Sequence, residues 1–439
     1  MRGRDRGPGG VGGLQRPGSD GHERTLGRET MSSGVTVIGW DGSPLGAPAL
    51  AALAAATLVV GGARHLAAAP VPESARTIRL GALGSAVEAM RKHGGQAVVL
   101  ASGDPGFFGV VRLLRAEGLA IGRVIPAVSS VSAAFAAAGL DWDDAAVVSA
   151  HGSAERARSL RRAVNACLAH PKVAVLTGPG AGARELAARL LASGLEDDDR
   201  ILYVAENLGA QEERVRALRL DEAAKAEVLD PHVVLCVALG AERAGAGWLA
   251  GPAGVDAPRP LPDDAFEYRD GQITKEETRA LIVSRLAPAF GDLVWDLGAG
   301  SGSIGVECAR HGAAVFAVER DPESCARIRR NAAAQELTGL YIYEGDAAEV
   351  VASLPAPDAV FLGGGGIDVL RAVLDRRPPR LVASYAALER ASEVLPLLAS
   401  HGYAADGMMH QASRLSRLPD GTHRLAALNP VFLVWGELR

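Results

Sequence analysis

Short apolar runs recur from residue 35 to the end of the chain, and stretches with helical spacing separate most of them. Residues 35–39, 57–60, 97–100, 123–125, 146–149, 173–176 and 200–204 have the composition and lengths of strands. Alanine-rich segments at 85–92, 131–138, 154–167 and 183–192 fall between many of them and read as helices. This alternation predicts α/β layering. Residues 233–239 form an unbroken apolar run, the pattern of a strand buried on both faces. Residues 241–262 are dense in Gly, Ala and Pro and read as a linker. Beyond it, Thr274 is followed three residues later by Glu277, a capping-box pattern that starts a helix with Leu281, Ile282 and Leu286 on one face. Further strands are expected at 294–297, 315–319, 340–343, 359–362, 380–384 and 430–435, with a helix at 322–336. That order predicts a doubly wound sheet closed by an antiparallel hairpin.

Length changes this picture by requiring more than one domain, since 439 residues exceed one ordinary core. The expected division is a tail over 1–33, a first unit over 34–240, a linker over 241–262 and a second unit over 263–439. No repeat relates the two units. The formal charge of -5 and the 4% aromatic content argue against a nucleic-acid partner. The four cysteines are scattered without C-x-x-C spacing, which predicts reduced thiols in a cytoplasmic protein and no metal site. The longest apolar stretch, 48–60, is too short to span a bilayer, and the opening residues lack the apolar core of a signal peptide. Residues 1–30 carry almost no large apolar side chain, which predicts disorder or an over-long gene start with Met31 as the true beginning. A basic nucleic-acid arm is opposed there by Asp5, Asp20, Glu23 and Glu29, which interrupt the arginines.

The chemistry of the second unit centres on Asp296-Leu297-Gly298-Ala299-Gly300-Ser301-Gly302, an acid at a strand end followed by a glycine-rich turn. A dinucleotide fingerprint can be drawn through Gly300, Gly302 and Gly305, but it starts two residues late. The register through Asp296, Gly298, Gly300 and Gly302 resembles the Rossmann-like S-adenosylmethionine methyltransferases. An acid at that point can reach a methionine ammonium, and glycines allow a ligand close to the backbone. Glu319, ending the next strand, can accept two ribose hydroxyls. Asp346 and Ala347, after the third strand, can meet adenine through a carboxylate and a backbone group. The four glycines Gly363 to Gly366 follow the fourth strand where base-amino methylases resemble one another in an Asn/Asp-Pro-Pro-aromatic motif, so a nucleic-acid base is not the expected substrate. Gly363 and Gly364 are candidates for the substrate side; Gly365 and Gly366 read equally well as a flexible turn.

In the first unit, Gly103-Asp104-Pro105-Gly106-Phe107-Phe108 and Ser129-Ser130 resemble loops of the tetrapyrrole methylases, a separate class of S-adenosylmethionine enzyme. The resemblance implies a two-subdomain α/β fold with the methyl donor in the cleft between, touched by Gly103, Asp104, Phe108, Ser129 and Ser130. The turn at 39–42 resembles that family's first loop but departs from its G-x-G-x-G pattern. Leu176-Thr177-Gly178-Pro179 matches its subdomain junction, and Ala205-Glu206-Asn207-Leu208-Gly209 with Glu213-Arg214 a later block. The second unit resembles the decarboxylating methylases of corrin synthesis. The two in this order resemble the fused precorrin-6Y C5,15-methyltransferase family of cobalamin biosynthesis, from residue 35 to the C-terminus.

That resemblance implies an N-terminal two-subdomain tetrapyrrole-methylase fold plus a C-terminal Rossmann-like methyltransferase fold. It implies two S-adenosylmethionine sites per chain, a reduced tetrapyrrole substrate and a homo-oligomer. The second unit would methylate C15 and release the ring-C acetate carboxylate, and the first would methylate C5. Thr274 is implied as a cofactor contact besides its capping role, joining Asp296, Gly298, Ala299, Gly300, Ser301, Gly302, Glu319, Asp346 and Ala347. A polycarboxylate is best held by arginine, and Arg279, Arg414, Arg417 and Arg424 are candidates against the reading of each as a solvated surface charge. His410 is a candidate to orient the acetate, against the reading of a satisfied surface histidine. No catalytic residue is assigned, and whether the substrate is metal-free or cobalt-bearing stays open. The rival reading is a methyltransferase for another small molecule, with the first unit a non-catalytic binding module.

Overall fold

The computed structural model describes residues 34–80, 83–150, 156–240, 250–251 and 259–439. The expected tail and most of the expected linker lie outside the described residues. Three large sheets follow one another along the chain.

The first sheet holds β1 (Val35–Trp40), β2 (Leu58–Gly61), β3 (Arg76–Arg79), β4 (Ala97–Ser102) and β5 (Ile121–Ile125) in the order β3-β2-β4-β1-β5. All its pairings are parallel. Parallel strands need crossover connections, and alanine-rich helices such as Ala47–Ala54 and Leu83–Lys92 supply them. Val37, Val59, Val60, Val98 and Val99 are essentially inaccessible, so both faces are covered.

The second sheet holds β6 (Ala146–Ser149), β7 (Lys172–Leu176), β8 (Arg200–Glu206), β9 (Arg214–Arg219) and β10 (His232–Ala238) in the order β6-β7-β10-β8-β9. The apolar run of β10 is central, as its pattern predicts. It runs antiparallel to both β7 and β8, however, so burial on both faces reflects central position here rather than a parallel sheet. Val233 and Leu235 enter one core, Val234 and Cys236 the opposite one.

The third sheet holds β11 (Leu293–Leu297), β12 (Ala314–Glu319), β13 (Leu340–Glu344), β14 (Ala359–Leu362), β15 (Arg380–Tyr385), β16 (Tyr403–His410) and, after a separate hairpin of β17 (Ser413–Arg417) and β18 (His423–Ala427), β19 (Val431–Leu438). Its order is β13-β12-β11-β14-β15-β19-β16, parallel except where β19 runs against β15 and β16. This is the doubly wound sheet with an antiparallel close that the sequence predicts.

The halves do not stand apart. One apolar core runs from Leu160, Val164 and Leu168 of the helix Arg156–Ala169 to Trp295, Phe316 and Leu362 of the third sheet. Tyr341 Oη donates to Leu168 O at 2.8 Å and Tyr343 Oη to Ser193 O at 2.7 Å, so the edge strand β13 is tied to the first half. Arg161 and Asn165 both donate to Asp358, just ahead of β14, at 2.6 and 3.2 Å. A helix of the first half thus does for the third sheet what a crossover helix does elsewhere, burying an apolar face that would otherwise meet water.

The capping box does not form. The helix is Glu276–Leu286, its N-cap is Lys275, and the Glu276 N–H is taken by the Asp263 carboxylate at 2.9 Å. Glu277 is drawn away instead by Arg414, which gives it two hydrogen bonds of 2.7 Å. A bidentate charge-assisted pair outweighs a neutral cap of the same carboxylate.

Candidate active site

The second half builds its site at the carboxyl edge of the parallel strands, where loops leave in opposite directions and a crevice opens. Gly298, Gly300 and Gly302 take φ of 68°, 57° and 74°, a conformation that side-chain-bearing residues adopt only under strain. The turn is pinned from both sides. Glu319 Oε2 accepts from Gly300 N at 2.8 Å, and its Oε1 accepts from Arg320 N and Asp321 N. Gly363 N donates to Leu297 O at 2.9 Å, and a Cβ on Gly363 would press on Gly298 O. A cleft of about 670 Å³ opens over this turn, lined among others by Thr274, Gly298 to Ser301, Gly363 and His410.

Asp296 lies beneath the turn with 1% of its surface exposed. Its Oδ2 accepts from Gly305 N at 2.8 Å, while Oδ1 has no partner. Burial, reinforced by the charge of Glu319 and opposed by the Gly305 N–H, pushes this carboxyl up to about 7. A buried acceptor without a donor is costly, and an ammonium supplies what Oδ1 lacks. The residues present therefore fit S-adenosylmethionine: an orphan acceptor for its ammonium, a glycine-rich turn that lets a ligand lie close to the backbone, and the Glu319 carboxylate at the next strand end. Asp346 caps the short helix Ala347–Val350, its Oδ1 accepting from Ala348 N at 2.9 Å, so its carboxylate is already engaged. Gly345 N–H bonds Glu319 O, which places Asp346 and Ala347 beside the Glu319 strand end.

The arginines separate sharply. Arg279 is fully buried and bonds Glu307, Asp263, Thr274 O and Leu261 O. It ties residues 261–263 to the helices Glu276–Leu286 and Ser303–Arg310 and lies outside the lining of the cleft, so its expected role is corrected. Arg414 is likewise engaged by Glu277 and by Asp263 at 2.9 Å, and binds β17 to the helix Glu276–Leu286. The structure thus places Arg414 on protein carboxylates, with its side chain still partly exposed. Its guanidinium holds Glu277 down to about 2. Arg417 and Arg424 sit exposed on the β17–β18 hairpin, outside the cleft lining. His410, by contrast, faces the cleft with Nε2 unpartnered. The sequence reading missed Ser384, Ala386 and Asn429, which also line it; Ser384 lies at the carboxyl end of a parallel strand, the one signal that would have found it. Arg414→Ala is expected to cost only about 1 kcal/mol, because the pair is partly solvent-screened. Urea midpoints should move little, and the loss should shrink at high salt.

In the first half, the ends of β1, β4 and β5 converge. Gly103 N donates to Trp40 O at 2.8 Å, and a Cβ on Gly39 would run into Gly103 O. Asp41 accepts from Val128 N at 3.2 Å, which brings the Ser129-Ser130 turn against Gly103. Ser129 Oγ caps the helix Ser130–Ala138 by accepting from Ser132 N at 3.1 Å, and Asp104 Oδ1 accepts from Gly106 N at 2.7 Å. Phe108 is held at φ 52° with 43% of its surface exposed, edge-on to Phe107. A left-handed aromatic kept exposed on a loop is a strained feature of the kind found at binding sites. Gly103, Ser129 and Ser130 are therefore neighbours.

Residues 44–224 match the family described as Tetrapyrrole (Corrin/Porphyrin) Methylases, and residues 264–425 match the family described as Precorrin methyltransferase domain. A protein of Sinorhizobium sp named Precorrin-6Y C(5,15)-methyltransferase (decarboxylating) is 41% identical, over 79% of this chain and 83% of its own length. The chain belongs to the precorrin-6Y C(5,15)-methyltransferase family. It is also similar to proteins that each match less than half of this chain. The Cobalt-precorrin-7 C(5)-methyltransferase of Salmonella typhimurium is 38% identical over 39% of this chain and 81% of its own. The Probable cobalt-precorrin-6B C(15)-methyltransferase (decarboxylating) of Pyrobaculum calidifontis is 32% identical over 40% and 93%. Precorrin-6Y methyltransferases are S-adenosylmethionine-dependent enzymes of cobalamin biosynthesis. Among the described residues, no helix is long and apolar enough to cross a membrane, and no cluster of His, Cys, Asp or Glu is placed to hold a metal. All four cysteines are buried free thiols.

Proposed function

We infer that this chain methylates a precorrin at C5 and C15 and decarboxylates its ring-C acetate, using two S-adenosylmethionine sites. The observation that carries the reading is the presence of two separate constellations of donor-site type: the Gly103/Ser129/Ser130 convergence and the Asp296–Gly302 turn with Glu319. The methyl donor supplies an electrophilic carbon, and the protein supplies position. Meso carbons of a reduced macrocycle are enamine-like, so alignment of carbon against sulfonium is the main requirement. Thr274, Asp296, Gly298, Ala299, Gly300, Ser301, Gly302 and Glu319 would hold the second donor, with Asp346 and Ala347 at its adenine end. Gly103, Asp104, Phe108, Ser129 and Ser130 would hold the first. Gly363, Gly364 and His410 would meet the macrocycle, with His410 Nε2 directing the acetate. Arg417 and Arg424 would reach peripheral carboxylates from the hairpin. The functional units run over 34–240 and 263–439. A homo-oligomer is supported by Leu415 and Leu425, paired across the hairpin and 72% and 69% exposed; solution mass tests it.

The test supplies the reduced precorrin with labelled methyl donor and follows mass. Two methyl additions and one loss of carbon dioxide are expected. Asp104→Ala, which frees the turn that Asp104 holds, is expected to stop at one methyl with decarboxylation intact. Glu319→Ala is expected to lose the other methylation. A wild-type chain that binds one donor by equilibrium dialysis would refute the two-site reading.

A further inference from the structure

Three side chains outside the donor-site assignments gather where the loops leaving β1 and β4 part to opposite sides of the first sheet. β1 leads leftward to β2, β4 rightward to β5, and the two strands are neighbours. Such a switch point is where an open parallel sheet takes its ligand. His65 lies in the helix Ala63–Ala68 that follows β2, 8% exposed and stacked on Trp40 at 5.7 Å between centroids. Its Nε2 stands 3.5 Å from Ser102 Oγ, at the limit of a hydrogen bond. Arg64 Nη2 donates to the same hydroxyl oxygen at 2.8 Å. Ser102 is itself exposed, immediately precedes Gly103 and is the register partner of Trp40. A hydroxyl whose oxygen already receives a guanidinium N–H keeps its own proton to donate, and the nearest acceptor is His65 Nε2.

Resting on the functional reading of the first half, we propose that Ser102 and His65 form a proton relay for C5 methylation, with Arg64 setting the hydroxyl. The need for one follows from the chemistry. The π pair at C5 forms the new C–C bond, the sulfonium C–S bond breaks with its pair kept on sulfur, and the macrocycle is left with a proton to lose from its conjugated N–H system. That proton passes to Ser102 Oγ as the Ser102 proton passes to His65 Nε2, leaving an imidazolium that later releases it to water. Burial, reinforced by the Arg64 charge, holds the His65 imidazole below its ordinary value, so it is neutral and able to accept at neutral pH. Arg64 is the charged group acting on it. Trp40 of β1 and Ser102 of β4 carry no charge near neutrality.

His65→Gln and Ser102→Ala test the relay in the full chain, where C15 methylation and decarboxylation report on folding. In each variant, C5 methylation should fall by about 100-fold, with two donors still bound and the C15 reaction within twofold of wild type. The wild-type C5 rate should decline on the acid side as His65 protonates, and His65→Gln should lose that limb. Added imidazole should restore part of the rate to His65→Ala. A variant with the wild-type C5 rate, an unchanged acid limb in His65→Gln, or equal loss of both methylations would overturn the relay. Absence of C5 methylation in the wild type would instead overturn the functional reading beneath it.

Discussion

Asp296→Asn should make the protein relatively more stable as pH rises from 4 to 7, while weakening the second donor site. The wild-type carboxyl is held about three units above its ordinary 3.8, at about 7, chiefly by burial. Between those values the folded state binds a proton that the unfolded state has released. Wild-type stability therefore falls across that window, by up to about 4 kcal/mol at 1.4 kcal/mol per unit. An asparagine keeps an acceptor for Gly305 N–H and does not titrate. The difference between variant and wild type should grow with pH, read as urea midpoints at pH 4.5 and 7.5.

Donor binding should move the other way. An ammonium at the unpartnered Oδ1 favours the ionised form, so wild-type affinity at the second site should drop about fivefold from pH 7 to pH 6. In the variant it should be flat with pH and weaker by ~10- to 100-fold, the worth of a charge-assisted hydrogen bond. The first site, which does not involve Asp296, provides the control within each titration. A pH-independent wild-type affinity would remove Asp296 from ammonium recognition and leave it a purely structural anchor of Gly305.

What the sequence made legible follows from how locally each feature is determined. Strands β11, β12 and β14 are short apolar runs bounded by acids and glycines, and they fold where the pattern puts them. The left-handed turn at Gly298, Gly300 and Gly302 is likewise local, since a tight turn of that kind wants glycine at those positions. Some edge strands escaped notice: β3 reads Arg-Thr-Ile-Arg and β9 Arg-Val-Arg-Ala-Leu-Arg, charged as exposed edges often are. Arg279 was misjudged because its burial is decided by Asp263, 16 residues before it, and Glu307, 28 residues after it. The capping box failed for the same reason, as Arg414 lies 137 residues from Glu277. Periodicity showed that the helix Arg156–Ala169 has an apolar face, but not which sheet that face covers.

That shared core gives Asp358→Ala an effect on both halves. Asp358 is 8% exposed and accepts from Arg161 Nη2, Asn165 Nδ2 and the buried Leu293 N–H at 2.6, 3.2 and 2.9 Å. Two of those donors belong to the first half and one opens β11. Alanine would strand a partly buried guanidinium and a buried backbone N–H together, at a cost of roughly 3–5 kcal/mol. Asp358→Asn, which keeps one acceptor and the shape, should cost less. The decisive measurement is denaturation followed by two probes, donor binding at the first site and near-ultraviolet signal from Trp295 in the third sheet. If the halves fold as the core joins them, both probes should shift together to lower urea in Asp358→Ala. If the first-site signal stayed at its wild-type midpoint while the Trp295 signal moved, the contact would be a docking surface between independent domains. The expected common shift also bears on mechanism, since β14 begins beside Asp358 and ends just before Gly363, in the cleft wall. Loosening its root should raise KM for the macrocycle at the second site before the protein unfolds.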